Sequence, residues 1–202
     1  MGKSIGNLLG FGVGDILTLS DIQTQKEFNE LSMDFRIKEV RTYKEPNDIF
    51  TYTGYVLDYD PRDGEDPIPL MLIIRQMCDD FDLMLYYLDQ EGSMEDFKEH
   101  ILKSDEQDFK DNFEVTVTFK DKTSDITWDK KAAGTFFGIE TTSNSNSDHK
   151  TIAEYITSDD NDGNPFAFIE WTGDHKKGFV EIWYGCQIRL EDAELFHTNK
   201  EA

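Results

Sequence analysis

From Phe113 to Phe119 apolar and polar residues alternate without a break: Phe113, Val115, Val117 and Phe119 against Glu114, Thr116 and Thr118. Successive side chains of a strand point to opposite faces, so a period of two marks a strand with one buried face and one wet one. Further β-like runs are Phe35 to Tyr43, Phe50 to Tyr59, Ile68 to Met77, Phe81 to Leu88, Gly134 to Thr142, Thr151 to Thr157, Phe166 to Thr172 and Phe179 to Cys186. They are short and bounded by turn-forming stretches such as Lys44 to Asp48, Pro61 to Gly64, Asn161 to Pro165 and Gly173 to Gly178. Many short strands joined by tight turns predict an all-β or β-dominated α+β fold of antiparallel sheets or open barrels.

Helix signals are few. Ser93-Met94-Glu95-Asp96 is a helix start, and Phe97, Ile101 and Leu102 follow at helical spacing, predicting a helix over about 94–103. The Thr24-Gln25-Lys26-Glu27 capping box, with Phe28 and Leu31 behind it, marks a second short helix. The polar stretch Ser104 to Asn112 divides the chain into two expected β lobes, 1–108 (with the helix) and 109–202. Their order of features is similar. Phe35-Arg36-Ile37 matches Phe113-Glu114-Val115, and Asp48 to Tyr52 matches Ser124 to Trp128. An Asp-Gly turn and two apolar strands follow in each half, at Asp63-Gly64, Leu70 to Ile74 and Phe81 to Tyr87, and at Asp162-Gly163, Phe166 to Trp171 and Phe179 to Tyr184. An internal repeat explains this order, and so does the plain recurrence of strands and turns in an antiparallel protein.

Through Phe50 to Tyr55, Ala153-Glu154-Tyr155, Ile169-Glu170-Trp171 and Trp183-Tyr184-Gly185, the chain resembles bacterial domains of unknown function built from paired compact β lobes. The resemblance spans most of residues 10–198 and implies a fold. It brings no activity and no site residue.

Composition narrows the function. The chain has 202 residues, with 42 acidic against 20 basic side chains and a net charge of −22, yet it is 38% hydrophobic and 13% aromatic. That core-forming content separates it from acidic disordered chains. Nucleic-acid affinity comes mainly from Lys and Arg displacing counterions, so direct nucleic-acid binding is disfavoured, as is an anionic membrane surface. No apolar run approaches the roughly 20 residues that span a bilayer. Gly6 to Leu17 lacks the basic flank and cleavage site of a signal peptide. Cys78 and Cys186 are too few for a disulfide framework. A cytoplasmic protein with free thiols is expected.

Motifs for catalysis are weak. Gly2-Lys3-Ser4 lacks the upstream glycine of a phosphate loop, and Gly10-Phe11-Gly12-Val13-Gly14 lacks the preceding strand and following helix. Asp160-Asn161-Asp162-Gly163 begins like a calcium loop, but Ile169 stands where the closing carboxylate belongs, so a hairpin turn is the better reading. No serine sits in Gly-x-Ser-x-Gly, and His100, His149, His175 and His197 show no metal-ligand spacing. No cofactor or metal is expected, and no catalytic residue can be named.

The most informative pattern is a glutamate inside each of four successive strands: Glu140, Glu154, Glu170 and Glu181. By parity Glu170 shares a face with Phe166 and Phe168, and Glu181 with Phe179 and Trp183. If the strands neighbour in order, carboxylates stand among aromatics on one face. Opposed like charges repel, so they must be offset, solvated, or compensated by Lys150, Lys176, Lys177, Arg189 or a bound cation. The bland reading is the wet side of a sheet. The functional reading makes Glu140, Glu154, Glu170, Glu181, Phe168, Phe179 and Trp183 a binding face for a basic protein, in a non-catalytic interaction or accessory protein. One alternative is a carboxylate- or metal-dependent hydrolase using the same glutamates. Another is a nucleic-acid mimic. Size scaling gives roughly 9,700 Å² of surface, or one excess charge per about 440 Å², which is sparse beside a duplex.

Overall fold

A computed structural model of the chain describes residues 8–19, 34–44, 50–58, 69–77, 80–103, 109–119, 122–140, 147–157, 166–172 and 178–198. The described strands are β1 (Ile16–Leu19), β2 (Asp34–Lys44), β3 (Phe50–Asp58), β4 (Leu70–Met77), β5 (Asp80–Ser93), β6 (Asn112–Phe119), β7 (Lys122–Glu140), β8 (Ser147–Thr157), β9 (Phe166–Thr172), β10 (Phe179–Ile188) and β11 (Ala193–Phe196). One helix, α1 (Met94–Ile101), joins β5 to the second half, and a 3-10 turn at Leu190–Asp192 precedes β11. The β-dominated antiparallel fold read from the alternation is the fold observed.

Hydrogen-bonded strands follow the order β11-β1-β2-β3-β4-β5-β10-β9-β8-β7-β6, every pair antiparallel. One further pairing changes the architecture. The free side of β2 beyond β1 takes β7, with Arg41 opposite Glu140 and Lys44 opposite Phe137. Strands β2 to β5 and β7 to β10 thereby form an unbroken ring of eight. The halves 1–108 and 109–202 therefore share one sheet rather than standing as two lobes, because β5 pairs with β10 and β2 with β7.

A ring of eight strands leaves an interior that side chains can just fill. Along β4, Leu70, Leu72 and Ile74 point outward, and Met71, Ile73 and Arg75 inward. The inward apolar set joins Tyr43, Tyr52, Val56, Met84, Tyr86, Ile152, Phe168 and Trp183 in one buried cluster. Outside, two further cores cover the wall. Leu8, Leu17, Phe35, Tyr55, Leu72, Leu85 and Ala193 pack under the N-terminal loop, β1 and β11. Met94, Ile101, Leu102 and Phe109 pack on Ala167, Ile169, Trp171, Val180 and Tyr184.

A bulge in β2 decides which residues reach the interior. Its register with β3 shifts between Ile37 and Glu39, so the parity that turns Phe35 and Ile37 outward afterwards turns Arg41 and Tyr43 inward. Gly185 lets β10 lie close to β5: a Cβ there would fall on the carbonyl oxygen of Leu85.

Several expectations need adjustment. Helix α1 ends at Ile101, and Leu102 already bridges to Phe109. Phe109 is buried edge-on against Trp171, with ring centroids 6.3 Å apart, so the end of the supposed polar linker is core. β7 runs for 19 residues, through a register shift between Lys130 and Ala132. The repeat is not upheld in its first matches: Phe35 to Ile37 lies in β2, and its counterpart Phe113 to Val115 in β6, which the pairing order makes the equivalent of β1. The second helix and the Asp160 to Gly163 turn lie outside the described residues. Gly10 and Gly14 both have positive φ, and Asp15 closes the turn between them by accepting the Gly12 N–H at 2.9 Å.

Candidate functional site

Glu154, Glu170 and Glu181 share the inner face of the ring. Glu154 and Glu170 are 3% and 2% exposed, Phe168 and Trp183 are buried with them, and Glu181 is half-buried nearer the rim. Phe179 shares their side of β10 but sits at its end, 46% exposed. Glu140 stands opposite Arg41 in the backbone register. The expected aromatic and acidic face therefore exists as a buried lining, and only Glu181 and Phe179 among its described side chains reach toward solvent.

Two arginines from the first half compensate these carboxylates. Arg41 donates from Nη1 to Glu170 at 3.2 Å and to Glu181, and from Nε to Glu39 at 2.9 Å. The Tyr43 hydroxyl donates to Glu170, and Trp183 Nε1 to Glu181 at 3.3 Å. Arg41 also lies 5.8 Å from the Trp183 ring centroid, within cation–π range. Glu170 and Glu181 are direct cross-strand partners, the like-charge opposition a sheet avoids unless a cation sits between them. Burial works against the charge on Arg41, but Tyr43, Glu170 and Glu181 outweigh it and hold the guanidinium protonated. Burial pushes the Glu181 carboxyl upward, Arg41 opposes the rise, and Glu170 adds to it. Burial and Glu170 likewise raise Tyr43 far above its ordinary range.

The second cluster is smaller. Arg75 meets Glu154 at 3.1 Å and forms a two-pronged contact with Asp82, with Nε donating at 3.1 Å. Tyr52 donates to Glu154 at 3.3 Å, and Gln187 to the second oxygen of Asp82 at 3.3 Å. Phe168 separates the clusters, with the Tyr43, Tyr52 and Tyr86 ring centroids 6.1, 6.2 and 5.7 Å away. The Tyr86 hydroxyl has no hydrogen-bond partner among the described residues, and burial followed by Glu154 raises its pKa well above normal.

Sequence reasoning found the glutamates but missed their partners. Arg41 and Arg75 each lie inside a predicted strand with apolar neighbours, and an arginine in that setting was the available signal. Of the compensating residues named from sequence, Arg189 pairs with Glu191 at the surface, Lys150 stands in β8 opposite Thr172, and Lys176 and Lys177 lie outside the described residues.

The exposed acids gather elsewhere. Asp89 and Glu91 at the end of β5 and Glu95, Asp96 and Glu99 on α1 are exposed, with Lys98 half-buried among them. α1 buries Met94 and Ile101, which leaves that acidic side outward. Phe179 pairs with Ser93, the residue before α1, and so stands beside this ridge. Glu91, Glu181 and Glu170 are successive register partners on β5, β10 and β9, a file of carboxylates leading from solvent to Arg41.

Among the described residues no three His, Cys, Asp or Glu side chains are grouped to hold a metal ion, and no helix is long and apolar enough to cross a membrane. Cys186 lies half-buried in β10. Comparison of the chain with protein-family models, with curated proteins and with solved structures finds no match.

Proposed function

We propose that this is a non-catalytic interaction or accessory protein that engages a basic protein partner through the acidic ridge beside Phe179. The observation that carries the reading is the exposed Phe179 set opposite Ser93, whose hydroxyl donates to exposed Asp96 at 2.6 Å, with exposed Glu91 two residues before Ser93 on β5 and exposed Glu95 on the helix that follows it. An aromatic anchor rimmed by like-signed charge is the composition a basic segment needs. The overall charge of −22 adds long-range attraction for such a partner and repels nucleic acid. The hydrolase alternative needs a carboxyl open to substrate, whereas Glu154 and Glu170 are engaged by Arg75, Tyr52, Arg41 and Tyr43. Nucleic-acid mimicry needs charges crowded along one elongated face, and the ridge on α1 is a single short one.

The test is capture from lysate at low and high salt, with the full chain and with a Glu91→Lys, Glu95→Lys, Phe179→Ala variant. A specific partner retained at low salt, released at high salt and lost with the variant supports the reading. Salt-insensitive capture, no capture, or capture indifferent to the three substitutions overturns it.

A further inference from the structure

The β6–β7 hairpin extends past the ring. Residues 122–127 of β7 pair with β6 alone, because the register with β8 begins only at Trp128 opposite Thr157. β6 ends the strand order, with β7 as its hydrogen-bonded neighbour among the described residues. An edge strand offers a row of N–H and C=O groups to any second strand, and proteins normally blunt such edges with lysine, proline or a bulge. From Asn112 to Phe119 there is no lysine, arginine or proline, and the register with β7 runs without a shift.

The strand is also self-complementary. About Thr116 the alternating residues read the same in both directions: Phe113 and Val115 on one side, Val117 and Phe119 on the other. Two copies set antiparallel about Thr116 place Phe113 opposite Phe119, Val115 opposite Val117, Glu114 opposite Thr118 and Thr116 opposite itself. Like meets like on the apolar side, and no two charges of one sign oppose each other. A one-residue slip would put apolar residues opposite polar ones, which specifies the register. Within β6 itself Glu114 is the one charged residue, so pairing two copies along this strand brings few like charges together.

We infer that β6 is the seam of a two-fold homodimer, in which the β6 strands of two copies pair antiparallel about Thr116. The contact is isologous, as closed dimers require, and continues the β7-β6 ladder into the second copy.

Light scattering and sedimentation of the full chain over a concentration series are expected to show a dimer. Thr116→Lys sets two ammonium groups face to face at the axis and should weaken dimerisation about fivefold or more. In a Cys78→Ser, Cys186→Ser background, mild oxidation should link Thr116→Cys chains into covalent dimers, and Thr118→Cys chains, whose opposite residue is Glu114, should link far less. A monomer at every concentration overturns the inference. So does dimerisation unchanged by Thr116→Lys, or cross-linking equal at the two positions. Circular dichroism distinguishes a folded monomeric variant from a misfolded one.

Discussion

Arg41 enters the barrel from β2 and faces Glu39, Glu170 and Glu181, whereas Arg75 enters from β4 and faces Glu154 and Asp82. The first guanidinium is the more deeply placed and holds the larger excess of negative charge. The second leans on Asp82, whose side chain is 36% exposed and can return to water if its partner is lost. Removing one member of a buried ion pair is costly because the other is left charged in a poor solvent. Equal chemistry on two sides of Phe168 therefore carries unequal consequences, set by how many of the partners can rehydrate.

Urea unfolding should expose the inequality. Arg41→Met strands Glu170 and should cost about 3–5 kcal/mol. Arg75→Met should cost less, about 1–3 kcal/mol, because only Glu154 is left fully buried. Equal losses would show that burial of the carboxylates does not set the energetics. Below these in size come the tyrosines. Tyr43→Phe removes a hydrogen bond to a buried carboxylate and should cost about 1.5–3 kcal/mol, whereas Tyr52→Phe, at a longer contact, should cost about 1 kcal/mol. A larger loss at Tyr52 would reverse the ranking of the two sides.

The ring was partly legible in the sequence. Alternation in Phe113 to Phe119 and the run Phe166 to Thr172 announced strands because one face is apolar. β1 and β11, four residues each, are too short for a period to show and exist through their pairing with each other and β2. Parity alone grouped Glu170 with Phe168 and Glu181 with Trp183. It could not say whether that face was wet or enclosed, since closure rests on the β2–β7 register between distant segments. The bulge after Ile37 hid Arg41 for the same reason: one extra residue reverses which side chains face inward.

The smallest expected effects are in pH dependence, and they differ in sign between the interior and the chain-end clasp. Glu181 has a raised pKa, so the native state holds its proton more tightly than the unfolded chain does. Its contribution is fully present below the ordinary glutamate pKa and is lost as pH rises through the raised value. Asp15 behaves oppositely. Burial disfavours its charge, but N–H groups of Gly12 and Thr198 and the His197 ring outweigh this and lower its pKa. Its contribution is present above the ordinary aspartate pKa and is lost as pH falls through the lowered one. Stability profiles of Glu181→Gln and Asp15→Asn should therefore flatten in different windows, the first at and above the glutamate range and the second at the acid end. A single shared window would show that the two groups are not independently placed.

The two seams of the ring also order events in time. Arg41 and Arg75 lie in strands that a growing chain makes first, while Glu154, Glu170 and Glu181 come only with β8, β9 and β10. A nascent β2–β5 meander thus holds Arg41 beside Glu39 and Arg75 beside Asp82, with guanidinium N–H groups still lacking Glu154, Glu170 and Glu181 on its concave side and two unclosed edges. Pairings across long stretches of chain form slowly, and exposed half-sheets are where chains stick to one another. Cations on that concave side keep it hydrated and make an unwanted apolar match unfavourable. The same charges then become the docking points for the second meander, so the barrel closes only around strands that bring the glutamates.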